Sequence, residues 1–325
     1  MKKFLLIIIP ISLTALISLT LWFLFLAAPG TSSNFQTISF SEDTPKILVS
    51  EKLKKEGFIK NEIVLEFLLK SADLPAGGYE LSNSLNVLEV AKTLNSGPTL
   101  LWVSVTPGMR KEQIAEKLQV KFKWASKDTT DFLSFPEGQY FPDTYLVPKA
   151  VSGQQLAVRM NNNFNEKFAP LAPKFLAQNI KNDTALKIAS LIEREAAGAA
   201  QRALPGGESD MPLISGIIWN RLLKNMRLQI DAANQYIIGK SGDWWPAFTS
   251  VSARQALKID SPYNLYLHKG LPPTPICNPS LEAIEAVLNP AQTDCLFYLH
   301  DKTKQIHCSV TYEEHLKKIA LYLQN

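Results

Sequence analysis

The chain has little cysteine, little histidine and little net charge, and each shortage excludes a class of protein. Only Cys277, Cys295 and Cys308 occur among 325 residues. No two form a Cys-x-x-Cys pair and three thiols allow at most one bridge, so a disulfide framework is excluded. Of the four histidines, His268, His300, His307 and His315, only His300 has ligand-like spacing from a cysteine, Cys295, and no second pair completes a zinc set. The balance of 34 Lys+Arg against 30 Asp+Glu leaves +4, too little to imply a nucleic-acid partner. A GxSxG elbow, a Walker loop and a GxGxxG turn are all missing, which removes support for acyl-transfer and nucleotide chemistry. There is no internal repeat and no low-complexity tract.

What is present is an ordinary folding composition, 46% apolar and 20% charged, enough for one large domain or two modest ones. Met1-Lys2-Lys3 precedes a run from Phe4 to Ala28 without a charged residue. As a helix that run would extend about 37 Å, against about 30 Å of bilayer hydrocarbon. It is also longer than the apolar region of a cleavable signal. With Lys2 and Lys3 on its N-terminal side, it predicts a single-pass anchor in the cytoplasmic (inner) membrane, N-terminus inside and the rest outside.

The expected organisation is a cytoplasmic tail at 1–3, a transmembrane helix at 4–28, a polar linker at 29–36, a small module at 37–123 and a second domain at 124–325. In the module, short strands at 37–40 and 100–106 bracket paired short helices, an α+β pattern. The second domain is predicted to be mainly helical, with helices at 151–168, 171–178, 183–198, 213–224, 280–288 and 311–323. A loop-rich, aromatic stretch at 225–278 reads as the wall of a cleft.

The helix beginning near Asp183 carries the most informative carboxylates. Ala185, Ile188, Ala189, Ile192 and Ala196 share one face, which must be the core face. At about 100° per residue, Arg194 points away from that core into solvent. Glu193 and Glu195 flank the apolar stripe on opposite sides, about 200° apart, and cannot both face one cleft. Periodicity does not choose between them. Downstream, Gln229, Tyr263, Asn264, Tyr266, Trp244 and Trp245 mix rings with amides, a combination that suits a sugar: rings cover C–H faces and amides bond hydroxyls. Asp231 lies among them as a further candidate contact.

In order along the chain stand Tyr79-Glu80-Leu81, Val105-Thr106-Pro107-Gly108, Phe141-Pro142-Asp143-Thr144-Tyr145, Ser190-Leu191-Ile192-Glu193-Arg194-Glu195, Asn220-Arg221-Leu222, Leu228-Gln229-Ile230-Asp231, Tyr263-Asn264-Leu265-Tyr266, Gly270-Leu271-Pro272-Pro273 and Asn278-Pro279. This series resembles the YceG-like (MltG) endolytic murein transglycosylases from about residue 40 to the C-terminus. The resemblance implies an α+β protein with a membrane helix, a LysM-like βααβ module and a mainly helical lytic-transglycosylase domain. It implies cleavage of MurNAc–GlcNAc β-1,4 bonds within peptidoglycan strands to give 1,6-anhydro ends, terminating nascent strands, with no metal or cofactor. It places the catalytic acid/base on Glu193, with Gln229, Tyr263, Asn264, Tyr266 and Asp231 as substrate contacts. Peptidoglycan synthases are the implied protein partners. The chain departs from the family pattern at Asp231-Ala232-Ala233, Lys304-Gln305-Ile306 and Cys308. A hydrolytic muramidase and a non-catalytic peptidoglycan-binding scaffold are the alternatives.

Overall fold

The computed structural model describes residues 14, 17, 18, 20–196, 209–247, 255 and 257–323. The chain forms two compact units, one of residues 1–103 with 144–150 and one of residues 104–143 with 151–325.

In the first unit, strands β1 (Gln36–Phe40), β4 (Gly77–Leu81), β5 (Leu100–Ser104) and β6 (Thr144–Pro148) make one sheet in the order β1-β4-β5-β6. The antiparallel β1–β4 ladder sets Ile38 opposite Tyr79. A small β2 (Thr44–Pro45) and β3 (Asp73–Leu74) pair separately. Helices α1 (Lys46–Lys55), α2 (Glu62–Leu68) and α3 (Val87–Asn95) bury Val49, Leu53, Leu65, Val90 and Leu94 against Tyr79 and Leu81. Sequence explains the helix starts. Asn61 accepts from Val64 N, and Asn86 closes a capping box with Glu89, each satisfying amides that no helical carbonyl can reach.

The expected transmembrane helix is corrected here. Among the described residues no helix is long and apolar enough to cross a membrane. The described end of the 4–28 run closes as a short π-helix, Trp22–Leu26, and turns extended at Ala27. Ala27 is buried and Leu26 packs on this unit's protein core, so that end serves protein packing, and the described turns fall short of the ~20 residues a span requires. Most of residues 4–19 lie outside the described residues. The inner-membrane, single-pass localisation inferred from that helix loses its support with it.

The second unit is mainly helical: α4 (Lys111–Phe122), α5 (Ser126–Phe132), α6 (Gly153–Phe168), α7 (Ala172–Ala177), α8 (Asn182–Glu195), α9 (Met211–Leu223), α10 (Asp231–Ile238), α11 (Leu281–Leu288) and α12 (Tyr312–Tyr322), with a hairpin of β7 (Phe297–His300) and β8 (Ile306–Ser309). Helix α8 is central. Its face of Ala185, Ile188, Ala189 and Ile192 is wholly buried against Ile214 and Ile218 of α9 and Ile284 and Val287 of α11, the stripe that the 3.6-residue period demands. Ser152, Ser280 and Thr311 cap α6, α11 and α12 through their side chains. Helix α6 starts so close to α5 that a Cβ on Gly153 would lie 1.8 Å from the Asp128 carbonyl oxygen. Cys295 and Cys308 form a disulfide across the base of the hairpin, and Cys277 is buried and free.

Candidate active site

The apolar face of α8 orients everything at its C-terminal end, because Glu193, Arg194 and Glu195 must leave that stripe in three directions. Glu193 turns toward α11. Its Oε2 accepts from Ser280 N at 2.8 Å and Ser280 Oγ at 2.5 Å, which sets the carboxylate at the positive end of that helix. Glu195 turns the other way, toward the hairpin and α10. Tyr298 Oη donates to its Oε2 at 2.7 Å, and the Ala232 amide, in the first turn of α10, also bonds it. Arg194, expected in solvent, is instead half-buried, its guanidinium 3.9 Å from the centre of the Trp245 ring. The segment after α10 folds back over a face that helix periodicity alone leaves open.

A cavity of about 300 Å³ opens on the Glu195 side, walled by Arg221, Gln229, Asp231, Tyr266, Phe297, Tyr298, Tyr312 and His315 together with Glu195 and Leu228. Burial pushes the Glu195 pKa up, against the opposing pull of the Tyr298 bond, and the nearby Asp231 charge pushes it further. Burial also raises Asp231, which accepts from Tyr266 Oη at 2.5 Å. Arg221 is buried but occupied. It donates to the carbonyls of Leu296 and Leu228, both at 2.5 Å, so it clamps the hairpin to the 226–229 turn. Gln229 sits at φ 53, a conformation side chains adopt reluctantly, and its N–H donates to Leu265 O at 3.1 Å. His315 contributes an imidazole whose pKa burial lowers.

Of the residues expected from sequence, Gln229, Asp231 and Tyr266 meet in this cavity. Glu193, Tyr263 and Asn264 are not part of its lining. Asn264 is fully buried and braces its own loop, donating to Leu257 O at 3.0 Å and Ile259 O at 2.9 Å. Tyr263 bonds Thr274 Oγ1 at 2.8 Å and packs on Tyr236. Sequence reasoning missed Tyr298, Arg221, His315 and the place of Glu195 here. Arg221 stands within the Asn220-Arg221-Leu222 motif without a site role being read from it, while Tyr298 and His315 reach the cavity from a hairpin and a helix far apart in sequence from it. Among the described residues no group of three or more His, Cys, Asp or Glu is arranged to hold a metal ion.

A second buried network lies in the same unit. Asn278 Nδ2 donates to Glu137 Oε1 at 2.8 Å and Met109 O at 3.0 Å, while its Oδ1 accepts from Tyr140 N at 2.9 Å. Glu137 also accepts from Lys111 N. Burial, with a contribution from Glu112, pushes the Glu137 carboxyl up to about 8. This network ties three loops together two residues before Ser280, the partner of Glu193.

Comparison with known proteins agrees with this architecture. The chain is 27% identical over 338 residues to an endolytic murein transglycosylase of Streptococcus pneumoniae serotype 2, covering 90% of this chain and 59% of that protein. It therefore spans about three-fifths of that relative's length. It is 28% identical over 310 residues to one of Bacillus subtilis, covering 85% and 82% of the two. In the crystal structure of a YceG-like protein from Listeria monocytogenes the fold matches with a TM-score of 0.59 at 26% identity, over 88% of this chain and 99% of that one. The family model of the YceG-like proteins matches residues 40–321, a span that takes in both units and every wall of the cavity, and the chain therefore belongs to the YceG-like family.

Proposed function

We propose that the protein is an endolytic murein transglycosylase acting on peptidoglycan, and that Glu195 rather than Glu193 is its acid/base. The observation that carries this reading is a buried carboxyl group, Glu195, held by Tyr298 in a cavity that also presents Gln229, Asp231 and Tyr266. A proton donor working near neutral pH needs a raised pKa, and desolvation shifts Glu195 in that direction. Glu193 lies outside the lining of that cavity, its Oε2 accepting from Ser280 N and Ser280 Oγ at the start of α11.

In this reading protonated Glu195 donates to the glycosidic oxygen as the MurNAc anomeric carbon develops oxocarbenium character. The resulting carboxylate, stabilised by the Tyr298 hydroxyl, takes the proton from the MurNAc 6-hydroxyl as that oxygen closes on the anomeric carbon. One residue serves both steps, so the reaction needs no second carboxylate. The attacking hydroxyl belongs to the substrate, which gives it a high effective concentration. Gln229, Asp231 and Tyr266 offer amide, carboxylate and ring contacts for the flanking sugars. Residues 37–123 are read as the LysM-like glycan-binding module and 124–325 as the catalytic part.

Asp231 in the same cavity favours a second reading, a muramidase that activates water. The two separate by their products. The full chain is incubated with isolated peptidoglycan beside Glu195→Gln and Glu193→Gln, and new glycan ends are identified by mass spectrometry. The proposal expects 1,6-anhydro ends from wild type and Glu193→Gln, and none from Glu195→Gln. Reducing ends would move the protein to the hydrolases. Activity lost in Glu193→Gln and kept in Glu195→Gln would return the role to Glu193. Binding by all three without cleavage would mark a scaffold.

A further inference from the structure

Beside the end of α8 two arginines meet on one aromatic shelf, and they are differently engaged. Arg110 is 5% exposed. Its Nη1 donates to Trp244 O at 3.3 Å, its Nη2 donates to Tyr236 O, and its guanidinium lies 3.8 Å from the Tyr236 ring. Tyr236 O belongs to the last turn of α10, the negative end of that helix, so the charge of Arg110 is answered within the protein. The packing is close enough that a Cβ on Gly239 would come within 2.4 Å of Arg110 Nη1 and 2.2 Å of Trp244 O. Glu116 holds the Trp244 indole N–H at 2.6 Å. Arg110 and Glu116 thus build the shelf.

Arg194 has no such engagement. It stacks on Trp245, and among the described residues its guanidinium makes no hydrogen bond or ion pair; its Nε is buried without a partner. Burial pulls its pKa down while Glu193, Glu195 and the Cys277 thiol hold it up. A half-buried guanidinium with no acceptor is costly unless a ligand supplies one, and its planar fork fits a carboxylate with two parallel bonds. It lies one residue from Glu195 on the same helix. In a peptidoglycan strand the two sugars are neutral, and negative charge hangs from the 3-O-lactyl substituent of MurNAc, the sugar whose bond is cut.

We propose that Arg194, presented on the Trp245 face, is a recognition site for a carboxylate borne on the MurNAc substituent of the strand. The inference rests on the peptidoglycan reading above and adds a specificity determinant to it. That anion has two sources: carboxylates of the peptide stem, or the lactyl carboxylate exposed when the stem is removed.

The test measures binding of the full chain to soluble strands in three forms: native, with stem carboxylates chemically amidated, and stripped of stems by an amidase. Wild type is expected to bind the strands that carry the anion, native ones for a stem carboxylate or stripped ones for a lactyl carboxylate, about tenfold or more tighter than amidated ones, as one charge-assisted pair implies. Arg194→Gln should abolish that difference, and Lys224→Gln, which removes an equal charge from an exposed position, should leave it intact. Stripped strands that still bind in an Arg194-dependent way assign the anion to the lactyl group; stripped strands that bind like amidated ones assign it to the stem. Equal affinity of wild type for native, amidated and stripped strands would overturn the proposal, as would an Arg194→Gln variant weakened equally on all three. A shifted pH–rate profile of Arg194→Gln on amidated strands would also overturn it, by showing action through Glu195. Absence of anhydro ends from wild type would sink the transglycosylase reading while leaving these affinities interpretable.

Discussion

Replacing Glu137 by glutamine should make the second unit less stable in mild acid and more stable in mild alkali. Glu137 is buried and its carboxyl is pushed from 4.5 up to about 8. A folded-state pKa above the unfolded one means that the folded state binds the proton more tightly. The stabilisation is therefore fully present below about pH 4.5 and is lost as pH rises through about 8. At about 1.36 kcal/mol per pH unit, the loss amounts to about 5 kcal/mol, a large share of a domain's usual ~5–15 kcal/mol. Glutamine fits the same space, keeps one acceptor oxygen for Asn278 and Lys111, and removes the titration. It also puts an NH₂ where Glu137 accepted from amides, which costs about 1 kcal/mol. Urea unfolding at pH 4 and pH 9, followed by tryptophan fluorescence, should show the two proteins crossing near pH 5: Glu137→Gln lower by about 1 kcal/mol at pH 4 and higher by several at pH 9. Glu195 and Asp231 also carry raised pKa values, but they titrate in both proteins and cancel in the difference. Stability curves that run parallel from pH 4 to pH 9 would refute the reasoning.

Three further outcomes follow from the site and its supports. Tyr298→Phe removes the 2.7 Å donor that stabilises ionised Glu195, so the alkaline fall of kcat/KM should move up by about one to two pH units; a limb that stays put would exclude Glu195 as the titrating acid. Cys295→Ser with Cys308→Ser opens a loop of sequence separation 13, and urea unfolding should record a loss of about 3 kcal/mol with reduced turnover, since the hairpin carries Phe297 and Tyr298. Gly153→Ala drives a methyl onto the Asp128 carbonyl, and the Tm should fall by the equivalent of about 3 kcal/mol.

Helices with one wholly buried face were readable in advance. The stripes of α6, α8 and α11 recur at helical spacing because each helix buries one side. The short α10 and the β7–β8 hairpin were not readable. Eight residues from Asp231 and four-residue strands from Phe297 and Ile306 carry too little periodicity, and long-range packing decides their conformation. Parity among three cysteines allowed one bridge, and the pair was decided by the hairpin register that sets Tyr298 opposite Cys308, with Leu296 N bonded to Ser309 O.

The carboxylate pair on α8 shows most directly where local information stops. Angular spacing required Glu193 and Glu195 to part on opposite sides of the stripe, and they do, one to Ser280 and one to Tyr298. Which partner each glutamate meets is set by residues about 100 positions away in sequence, and no local pattern encodes them. For the same reason helix periodicity points Arg194 to solvent, although Trp245 covers it. By itself the sequence determined the family-wide series of motifs, the helical register of α8 and the divergence of its two glutamates, all properties of neighbouring residues. The tertiary structure alone decided which partner each glutamate meets, which aromatic covers the arginine and where the two compact units divide, because burial depends on what the rest of the chain brings to each face.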